Sequence, residues 1–488
     1  MQIAVAVVSA ICLTIASAEC MRVLQQACYR PQRGYFKIFL TVYYLVLLTV
    51  QFVSVLLYVY VDFYCYVNLA LFAMLSVGVN VIKRKCPLKL TKRVLRMFTV
   101  EAILLTLLCV FVESCFFVWL LPIFTLVAWA VCLPLDAVIA RHFLKRASVK
   151  LSKSNVTVIA ITGSYGKTSV KDMLSALLSD SITPSGSCNT PLGIAAYINK
   201  TDLTGAKYLI LEFGARRRYD IAELCKLYAP RYGIVTGVCA QHLSTFKSLE
   251  NIVATKRELV EHLPQDGFCV LNSADEIASG YVNSGICTKY MSYDDVQISV
   301  KSVDLNGTQM EIECDQKKVN ACLPQITDYV KDTFAMCLQM ALRLNQQFDK
   351  TVNRISFIKQ TPHRMELTRG VNCYIIDDSY NGSIAGVSSC AKTLEHFYCV
   401  KVVITQGLVE CGKDRKAMNA QCGEILGSVC DVAVVLGSNA KYLAEGLRKT
   451  NCEIVFAKNL KQAVLLATGR VNGGILLFQN DLPDTVLI

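Results

Sequence analysis

The stretch Val156-Thr-Val-Ile-Ala-Ile-Thr-Gly-Ser-Tyr-Gly-Lys-Thr-Ser169 decides the fold of the larger part of the chain. It opens with an apolar, β-branched run, continues with a loop that contains two glycines and Lys167, and leads into the helical pattern Val170–Leu178. A buried strand, such a loop and a helix in this order are typical of a phosphate-binding loop at the edge of a sheet. The sequence therefore predicts a nucleotide site on an α/β fold.

The residue types of the loop explain how it would hold phosphate. Glycines let the backbone amides close around phosphate oxygens, and the following helix contributes the positive end of its dipole. Lys167 can reach the β- and γ-phosphates, and the Thr168 hydroxyl can bind Mg²⁺. An ordinary glycine-rich turn is the competing interpretation, which the flanking strand and helix disfavour. The predicted phosphate-binding residues are Gly163, Ser164, Tyr165, Gly166, Lys167, Thr168 and Ser169.

Short β-branched runs alternate with helical stretches after this loop, which indicates mostly parallel sheets covered by helices. Between Thr288 and Cys322 the pattern predicts antiparallel strands with a hairpin turn at Asn306-Gly307, followed by a helix over Thr327–Leu344. The predicted strands of the parallel sheets are Val156–Ile161, Tyr208–Glu212, Tyr232–Thr236 and Phe268–Leu271, then Tyr374–Ile376, Val402–Ile404, Val432–Val435 and Ile475–Phe478.

The first 150 residues have a different composition. The chain has 488 residues, 53% of them apolar, and a net charge of +12. Residues 1–150 contain 15 Lys and Arg against 5 Asp and Glu, which leaves only +2 for residues 151–488. The basic excess thus accompanies the apolar part, which argues against a nucleic-acid surface and for membrane spans with positive flanks. Five spans are predicted, namely Gln2–Ala18, Ile38–Tyr60, Phe63–Ile82 and two within Phe98–Ala140 separated near Glu113 and Pro122.

Charges between these spans predict the orientation. The loops after the first, third and fifth spans are rich in Lys and Arg, so the N-terminus is expected outside and residues after about 145 in the cytoplasm. Glu101 and Asp136 are expected near helix ends. The 23 cysteines form no Cys-x-x-Cys pair and no extracellular framework, which favours reduced thiols in a cytosolic domain.

Three further side chains are expected at the sheet edge that carries the phosphate loop. Glu212 ends one predicted strand, and His242 follows the next. Ligands of open α/β sheets bind at this carboxyl edge, so both are candidate metal ligands. A surface acid is as common an interpretation for Glu212 alone, and a structural role is the more common one for a single histidine. Lys256 lies on the following helix, where periodicity alone predicts an exposed charge.

In their order and spacing these segments resemble the Mur ligases, which are ATP-dependent amide ligases of cell-wall peptide synthesis. The resemblance is greatest to members that add D-alanyl-D-alanine, in forms with membrane spans, and covers residues 155–488. It implies a membrane region at 1–148, an ATP-binding central domain at 149–360 and a Rossmann-like α/β C-terminal domain at 361–488. The matching stretches are Thr162–Ser169, Asn189–Gly193, Glu212–Arg216, Asp220–Leu224, His242, Ser248–Asn251 with Lys256, Pro362–Arg364, Asp377–Asn381, Gly407–Glu410 and Asn480–Pro483.

The resemblance also implies roles for individual residues. Lys167 and the loop amides would hold ATP, with Arg364 and Asp378 reaching the nucleotide from the C-terminal domain. Two Mg²⁺ ions are implied, one on Thr168 and Glu212 and one on His242 and a carbamate formed on Lys256. The substrate contacts would be Asn189, Thr190 and Arg216.

The implied reaction is amide formation through an acyl phosphate. Peptide or amino-acid acceptors and amines are the implied substrates, including UDP- or lipid-linked muramyl peptides. The lipid bilayer and a cell-wall synthesis complex are the other expected partners. Such chemistry needs no side-chain nucleophile, so positioning and electrostatics would supply catalysis.

Three departures from the family pattern leave two alternatives open. The usual N-terminal substrate domain is replaced by the apolar region, Thr327–Lys331 replaces a nucleotide contact, and Asp378–Ile384 only partly matches the usual signature. The alternatives are another amide ligase of the superfamily, such as a poly-γ-glutamate synthetase, and a degenerate nucleotide-binding scaffold in the membrane.

Overall fold

A computed structural model of the chain describes residues 88–111, 120–239, 243–380, 382–409, 411 and 414–480, with scattered positions between 7 and 35. The chain forms two compact units, residues 1–142 with 484–488, and residues 143–483. The first unit contains helices α1 (Ala18–Gln26) and α2 (Lys92–Phe111), and α3 (Leu121–Ser152) begins in it.

The predicted spans can be compared with the structure only in part. Gln2–Ala18, Ile38–Tyr60 and Phe63–Ile82 lie wholly or mostly outside the described residues, as does Glu113. Among the described residues, α3 is the one helix with the length and apolar composition needed to cross a membrane. The region Phe98–Ala140 contains two helices, α2 and α3, of which only α3 qualifies, so the described residues do not support the predicted multi-span region.

Helix α3 does not end at Ala140, as the sequence predicted, but continues to Ser152. The reason is packing, because Ala147 and Leu151 are buried among the apolar side chains of the second unit. The apolar face of α3 before that point is exposed at Val131, Leu135 and Val138.

The expectation that Glu101 and Asp136 lie near helix ends is wrong. Glu101 lies in the middle of α2 and Asp136 in the middle of α3. Burial of a charged group at these positions requires partners. Asp136 pairs with Arg93 at 2.7 Å and also with Arg96, and Glu101 accepts hydrogen bonds from two hydroxyl groups.

The central sheet of the second unit has six parallel strands in the order β2-β3-β1-β4-β5-β6. The sequence predicted this mostly parallel sheet, although it assigned Thr288–Met291 to the antiparallel part and missed β2. The strands are β1 (Thr157–Thr162), β2 (Ser181–Ile182), β3 (Tyr208–Glu212), β4 (Tyr232–Val235), β5 (Phe268–Leu271) and β6 (Thr288–Met291).

Helices cover both faces of this sheet, and their apolar sides form two separate cores with it. The helices are α4 (Lys167–Leu177), α5 (Pro191–Lys200), α6 (Asp220–Tyr228), α7 (Leu243–Phe246), α8 (Leu249–His262), α9 (Glu276–Ser279), α10 (Val330–Arg343) and α11 (Phe348–Asn353).

A three-stranded antiparallel sheet precedes α10. It consists of β7 (Gln297–Asp304), β8 (Gly307–Cys314) and β9 (Lys317–Leu323). Asp304 pairs with Gly307, so the predicted hairpin exists with its turn at residues 305 and 306, one residue earlier than expected.

A second six-stranded sheet has the order β10-β11-β15-β12-β13-β14 and is parallel except for β10. This α/β arrangement agrees with the predicted C-terminal domain. Its strands are β10 (Glu366–Arg369), β11 (Tyr374–Asp378), β12 (Lys401–Gly407), β13 (Val432–Leu436), β14 (Glu453–Ala457) and β15 (Ile475–Asn480), and its helices are α12 (Ile384–Leu394), α13 (Arg415–Gly427), α14 (Ala440–Leu447) and α15 (Leu460–Thr468).

Candidate active site

The phosphate-type loop lies between β1 and α4, and two of its glycines are required by the backbone. Gly163 has φ 152° and Gly166 has φ 74°, both in the region that favours glycine. A Cβ on Gly163 would also lie 2.0 Å from the Thr236 hydroxyl oxygen. Gly166 precedes α4 and gives it no side-chain cap, so the first amides of that helix are left for an anion.

Residues that follow β4 and β5 hold this loop in place, which the sequence did not predict. The Ser164 amide donates to the Gly237 carbonyl at 2.7 Å, and the Tyr165 hydroxyl donates to the Asp275 carboxylate at 2.8 Å. The Thr236 hydroxyl donates to the Thr162 carbonyl at 3.2 Å. These direct contacts fix the loop to the residues that follow β4 and β5.

Lys167 lies over this loop. Its ammonium donates to the carbonyls of Gly163 at 2.8 Å and Ser164 at 3.2 Å. Burial is the main reason that the pKa of Lys167 is lowered to about 8. The charge of Arg364 also lowers this pKa, and the charge of Glu212 opposes the shift. A cation at this position is available to an anion that enters the loop.

Glu212 ends β3 at the same sheet edge and is 1% exposed. Neither of its carboxylate oxygens accepts a hydrogen bond of ordinary geometry from a described residue, and the Lys171 ammonium lies 3.5 Å from one of them. Burial raises the pKa of Glu212, whereas Lys171, Lys167 and the nearby Thr168 hydroxyl lower it. A buried carboxylate without donors is costly unless a cation accompanies it.

Lys256 is buried, 3% exposed, where periodicity predicted an exposed charge. It lies on α8, whose N-terminus is capped by the Ser248 hydroxyl. Burial and the charge of Lys167 lower the pKa of Lys256 to about 7, with Asp220 opposing them. No described residue accepts a hydrogen bond from its amine. His242, the other predicted ligand of this site, lies outside the described residues.

The predicted substrate contacts occupy the loops beside Glu212. The Gly214 amide donates to the Asn189 carbonyl at 3.1 Å, and a Cβ on Gly214 would lie 2.8 Å from the Asn189 side chain. Thr190 caps α5 through its hydroxyl. The Arg216 amide donates to the Asp220 carboxylate at 2.9 Å.

The C-terminal domain contributes Arg364 and Asp378. Arg364 donates to the Thr168 hydroxyl at 3.4 Å, and its guanidinium lies 4.5 Å from the centre of the Tyr380 ring. Burial raises the pKa of Asp378 to about 6, and a hydrogen bond from Gln479 opposes this shift. The structure thus brings Arg364 to the phosphate-type loop, and its contact with the nucleotide stays a prediction.

Sequence reasoning missed two residues of this region, Lys171 and Tyr380. Lys171 follows Lys167 by one helical turn and is 1% exposed. A charged residue on the buried face of an amphipathic helix was the available signal. Tyr380 belongs to the matching stretch Asp377–Asn381, and nothing in its spacing indicated a contact with Arg364.

The segment Thr327–Lys331, which replaces a nucleotide contact of the family pattern, lies at the start of α10. Its Asp328 carboxylate accepts a hydrogen bond from His396 at 2.7 Å.

Family models match both halves of this unit. The model described as Mur ligase middle domain matches residues 161–325, and the one described as Mur ligase, glutamate ligase domain matches residues 363–487. Together they cover more than half of the chain.

Curated relatives of this chain include proteins named UDP-N-acetylmuramoyl-tripeptide--D-alanyl-D-alanine ligase. That of Escherichia coli is 24% identical over 55% of this chain and 61% of its own length. That of Mycobacterium tuberculosis is 31% identical over 48% of this chain and 48% of its own length. The chain thus spans between about half and three fifths of the length of these relatives.

Solved structures with the same fold include MurF from Acinetobacter baumannii, with TM-score 0.64, 19% identity and coverage of 71% of this chain and 78% of that one. MurF from Thermotoga maritima in complex with ADP has TM-score 0.61, 24% identity and coverage of 70% and 80%.

Proposed function

The chain belongs to the Mur ligase family, and from that premise we propose that it is a membrane-anchored, ATP-dependent amide ligase of peptidoglycan precursor synthesis. The acceptor is a muramyl tripeptide and the amine is D-alanyl-D-alanine, as in the names of the relatives. One observation carries the proposal: the carboxylate of Glu212 is buried, accepts no hydrogen bond of ordinary geometry from a described residue, and lies beside the lysine and threonine of a phosphate-type loop.

The residues of this site fit a magnesium ion. Mg²⁺ prefers carboxylate and hydroxyl oxygens together with phosphate oxygens, and Glu212 and Thr168 supply the first two. The ion would neutralise charge on the phosphates when bound. Glu212 can bind it without giving up a hydrogen bond, since none of the described residues donates one to its oxygens.

The chain's own groups position the nucleotide and the acceptor. The amides of the loop and of the first turn of α4 bind phosphate oxygens, and Lys167 and Arg364 place positive charge where negative charge develops on the transferring group. The acceptor carboxylate attacks the γ-phosphoryl group, ADP leaves, and the amine then displaces phosphate from the acyl phosphate. Asn189, Thr190 and Arg216 hold the acceptor beside Glu212.

Lys256 is proposed to carry a carbamate. Its amine is buried and has no described acceptor, and its pKa of about 7 leaves a substantial neutral fraction at neutral pH, so it can add to CO₂ and release a proton. The product is an oxygen anion suited to a second Mg²⁺, with His242 as the other ligand. This accounts for a lysine that is buried although no described residue accepts a hydrogen bond from its amine.

Membrane anchoring is supported by α3 and by the charge pattern before it. The exposed apolar side chains of α3 suit lipid, and the basic loops predict that residues after about 145 are cytoplasmic. Carbonate extraction of membranes tests the anchor, and release of the protein would contradict it. Labelling of the exposed Cys322 and Cys399 by an impermeant maleimide in inverted vesicles, but not in intact cells, would support the orientation.

Turnover with defined substrates tests the reaction. Detergent-solubilised protein is given ATP, Mg²⁺, D-alanyl-D-alanine and either UDP-linked or lipid-linked muramyl tripeptide, and ADP and product mass are followed. The proposal requires ADP release that depends on both acceptor and amine, and loss of it in Lys167→Ala. Stimulation by glutamate instead would favour a poly-γ-glutamate synthetase, and absence of turnover with every acceptor would favour the scaffold.

A further inference from the structure

The Lys171 ammonium is buried at a point where three parts of the chain meet. It donates hydrogen bonds to the carbonyls of Pro184 at 2.7 Å and Gly186 at 2.5 Å. The carboxylates of Asp172 and Glu212 lie at 3.1 Å and 3.5 Å from the same nitrogen. An ammonium has three N–H donors, so two are used by backbone and one remains for the carboxylates.

The two carbonyls belong to a segment that leads to the predicted acceptor contacts. We call residues 184–190 the acceptor segment. Its far end is held by the hydrogen bond from the Gly214 amide to the Asn189 carbonyl and by close packing on Gly214. The Ser187 hydroxyl is hydrogen-bonded to Tyr380, whose ring lies under Arg364. The acceptor segment therefore contacts α4, the end of β3 and the C-terminal domain.

We propose that Lys171 is a positioning residue that fixes the acceptor segment relative to the carboxylate of Glu212. The inference rests on the proposed function, which gives Glu212 the metal and the acceptor segment the acceptor. A methionine, which is similar in length and has no N–H donor, cannot donate to the two carbonyls, so the segment loses its attachment to α4.

The charge of Lys171 has an opposite effect on the metal. A cation 3.5 Å from a carboxylate oxygen competes with a second cation at that carboxylate. Removing the charge should therefore leave Mg²⁺ binding unchanged or make it tighter, while acceptor binding becomes weaker. Disruption of the site as a whole would weaken both, which separates the two explanations.

Hydrogen exchange tests the positioning role without any turnover. Lys171→Met is compared with Lys226→Met, the same change at an exposed position of α6. The amides of Gly193 and Gly214, which donate to Thr190 and Asn189 of the acceptor segment, should exchange about tenfold faster in Lys171→Met, the equivalent of one lost hydrogen bond to a charged group, while strand β1 is unchanged. Equal exchange of these two amides in the two variants would overturn the proposal.

Kinetics provide the second readout. In Lys171→Met the acceptor KM should rise about tenfold and the Mg²⁺ concentration for half-maximal rate should stay equal or fall. Lys171→Arg, which keeps the charge and the donors, should recover most of the acceptor KM. A rise in both constants, or an unchanged acceptor KM, would contradict the proposal.

Two outcomes are kept apart by this design. If the unsubstituted protein shows no acceptor-dependent turnover, the proposed function fails, and the exchange comparison still decides the role of Lys171. If Lys171→Met does not fold, Lys171→Gln replaces it. Its amide keeps a polar group at this buried position, but the side chain is uncharged and one bond shorter, so it cannot keep both hydrogen bonds of the ammonium, and faster exchange of the Gly193 and Gly214 amides is again required.

Discussion

The two units of the chain each bury a glutamate, and the two glutamates have opposite surroundings. Glu101 in α2 accepts hydrogen bonds from the hydroxyls of Ser17 at 2.9 Å and Thr125 at 3.0 Å. Glu212 at the end of β3 accepts none of ordinary geometry from described residues and has only the Lys171 ammonium at 3.5 Å. A buried carboxylate whose oxygens are satisfied stabilises its own unit, whereas one left without donors is suited to bind a cation.

Substitution of the two glutamates should give the largest difference between the units. Glu212→Gln removes the proposed metal ligand, so ADP release should fall by about 10²–10³-fold. Glu101→Gln keeps a carbonyl acceptor for one of the two hydroxyls and removes no proposed metal ligand, so turnover per folded molecule should stay within about twofold of the unsubstituted protein. Both are measured by acceptor-dependent ADP release in the same detergent. Equal losses in the two variants would contradict the assignment of Glu212.

Lys256 provides the next largest effect, because it is the buried cation without a described partner. Lys256→Ala should lower turnover by about 100-fold, and short carboxylic acids added to the buffer should restore part of it by occupying the place of the carbamate. Lys226→Met serves as the control at an exposed position. Turnover unaffected by Lys256→Ala would exclude the carbamate.

The pH dependence of CO₂ addition follows from the lowered pKa of Lys256. Its pKa of about 7 means that the amine is mostly protonated at pH 6 and mostly neutral at pH 8. Since only the neutral amine adds to CO₂, protein stripped of CO₂ should regain activity about tenfold faster at pH 8 than at pH 6 when dissolved CO₂ is held constant. Recovery at the same rate at both pH values would contradict this sequence of events.

The sequence predicted the parts of this site that depend on local pattern. The run Val156–Ile161, the two glycines and Lys167 specify a strand, a turn and a helix within one short stretch, so the loop could be placed without tertiary information. The edge strands β2 and β10 were missed because two and four residues carry little hydrophobic pattern. The edge strand β14 was missed although four of its five residues are apolar.

Burial of charge could not be predicted in the same way. Periodicity places Lys256 on the outside of a helix, and only the packing of α8 against the sheet makes it buried. Ser17 and Glu101 are separated by 84 residues, so their contact depends on how the helices pack. The same holds for Arg364 and Thr168, which come from different domains. Long-range packing decides which charges are satisfied, and local sequence does not.

Arg364 tests whether the C-terminal domain completes the nucleotide site. Arg364→Ala removes the hydrogen bond to Thr168 and the stacking on Tyr380, so the KM for ATP should rise about tenfold. Arg415→Ala, on α13 of the same domain, is the control, because its guanidinium bonds only Asn439 and Ser438 among the described contacts. An unchanged KM for ATP in Arg364→Ala would separate the C-terminal domain from nucleotide binding.

The smallest effect is expected where a carboxylate is already satisfied. Thr125→Val keeps the shape of the side chain and removes one of the two hydroxyls that donate to Glu101. The protein should lose about 1–3 kcal/mol of stability, the cost of leaving a buried acceptor unpaired, and should melt a few degrees lower in detergent with its turnover per folded molecule unchanged. Thr106→Val is the matched control, because the Thr106 hydroxyl bonds only to the carbonyl of Ala102 in its own helix among the described contacts. If the two valine variants have the same melting temperature, the hydroxyl of Thr125 does not stabilise Glu101. If Thr125→Val instead lowers turnover per folded molecule, Glu101 takes part in the reaction, and the distinction between the two glutamates fails.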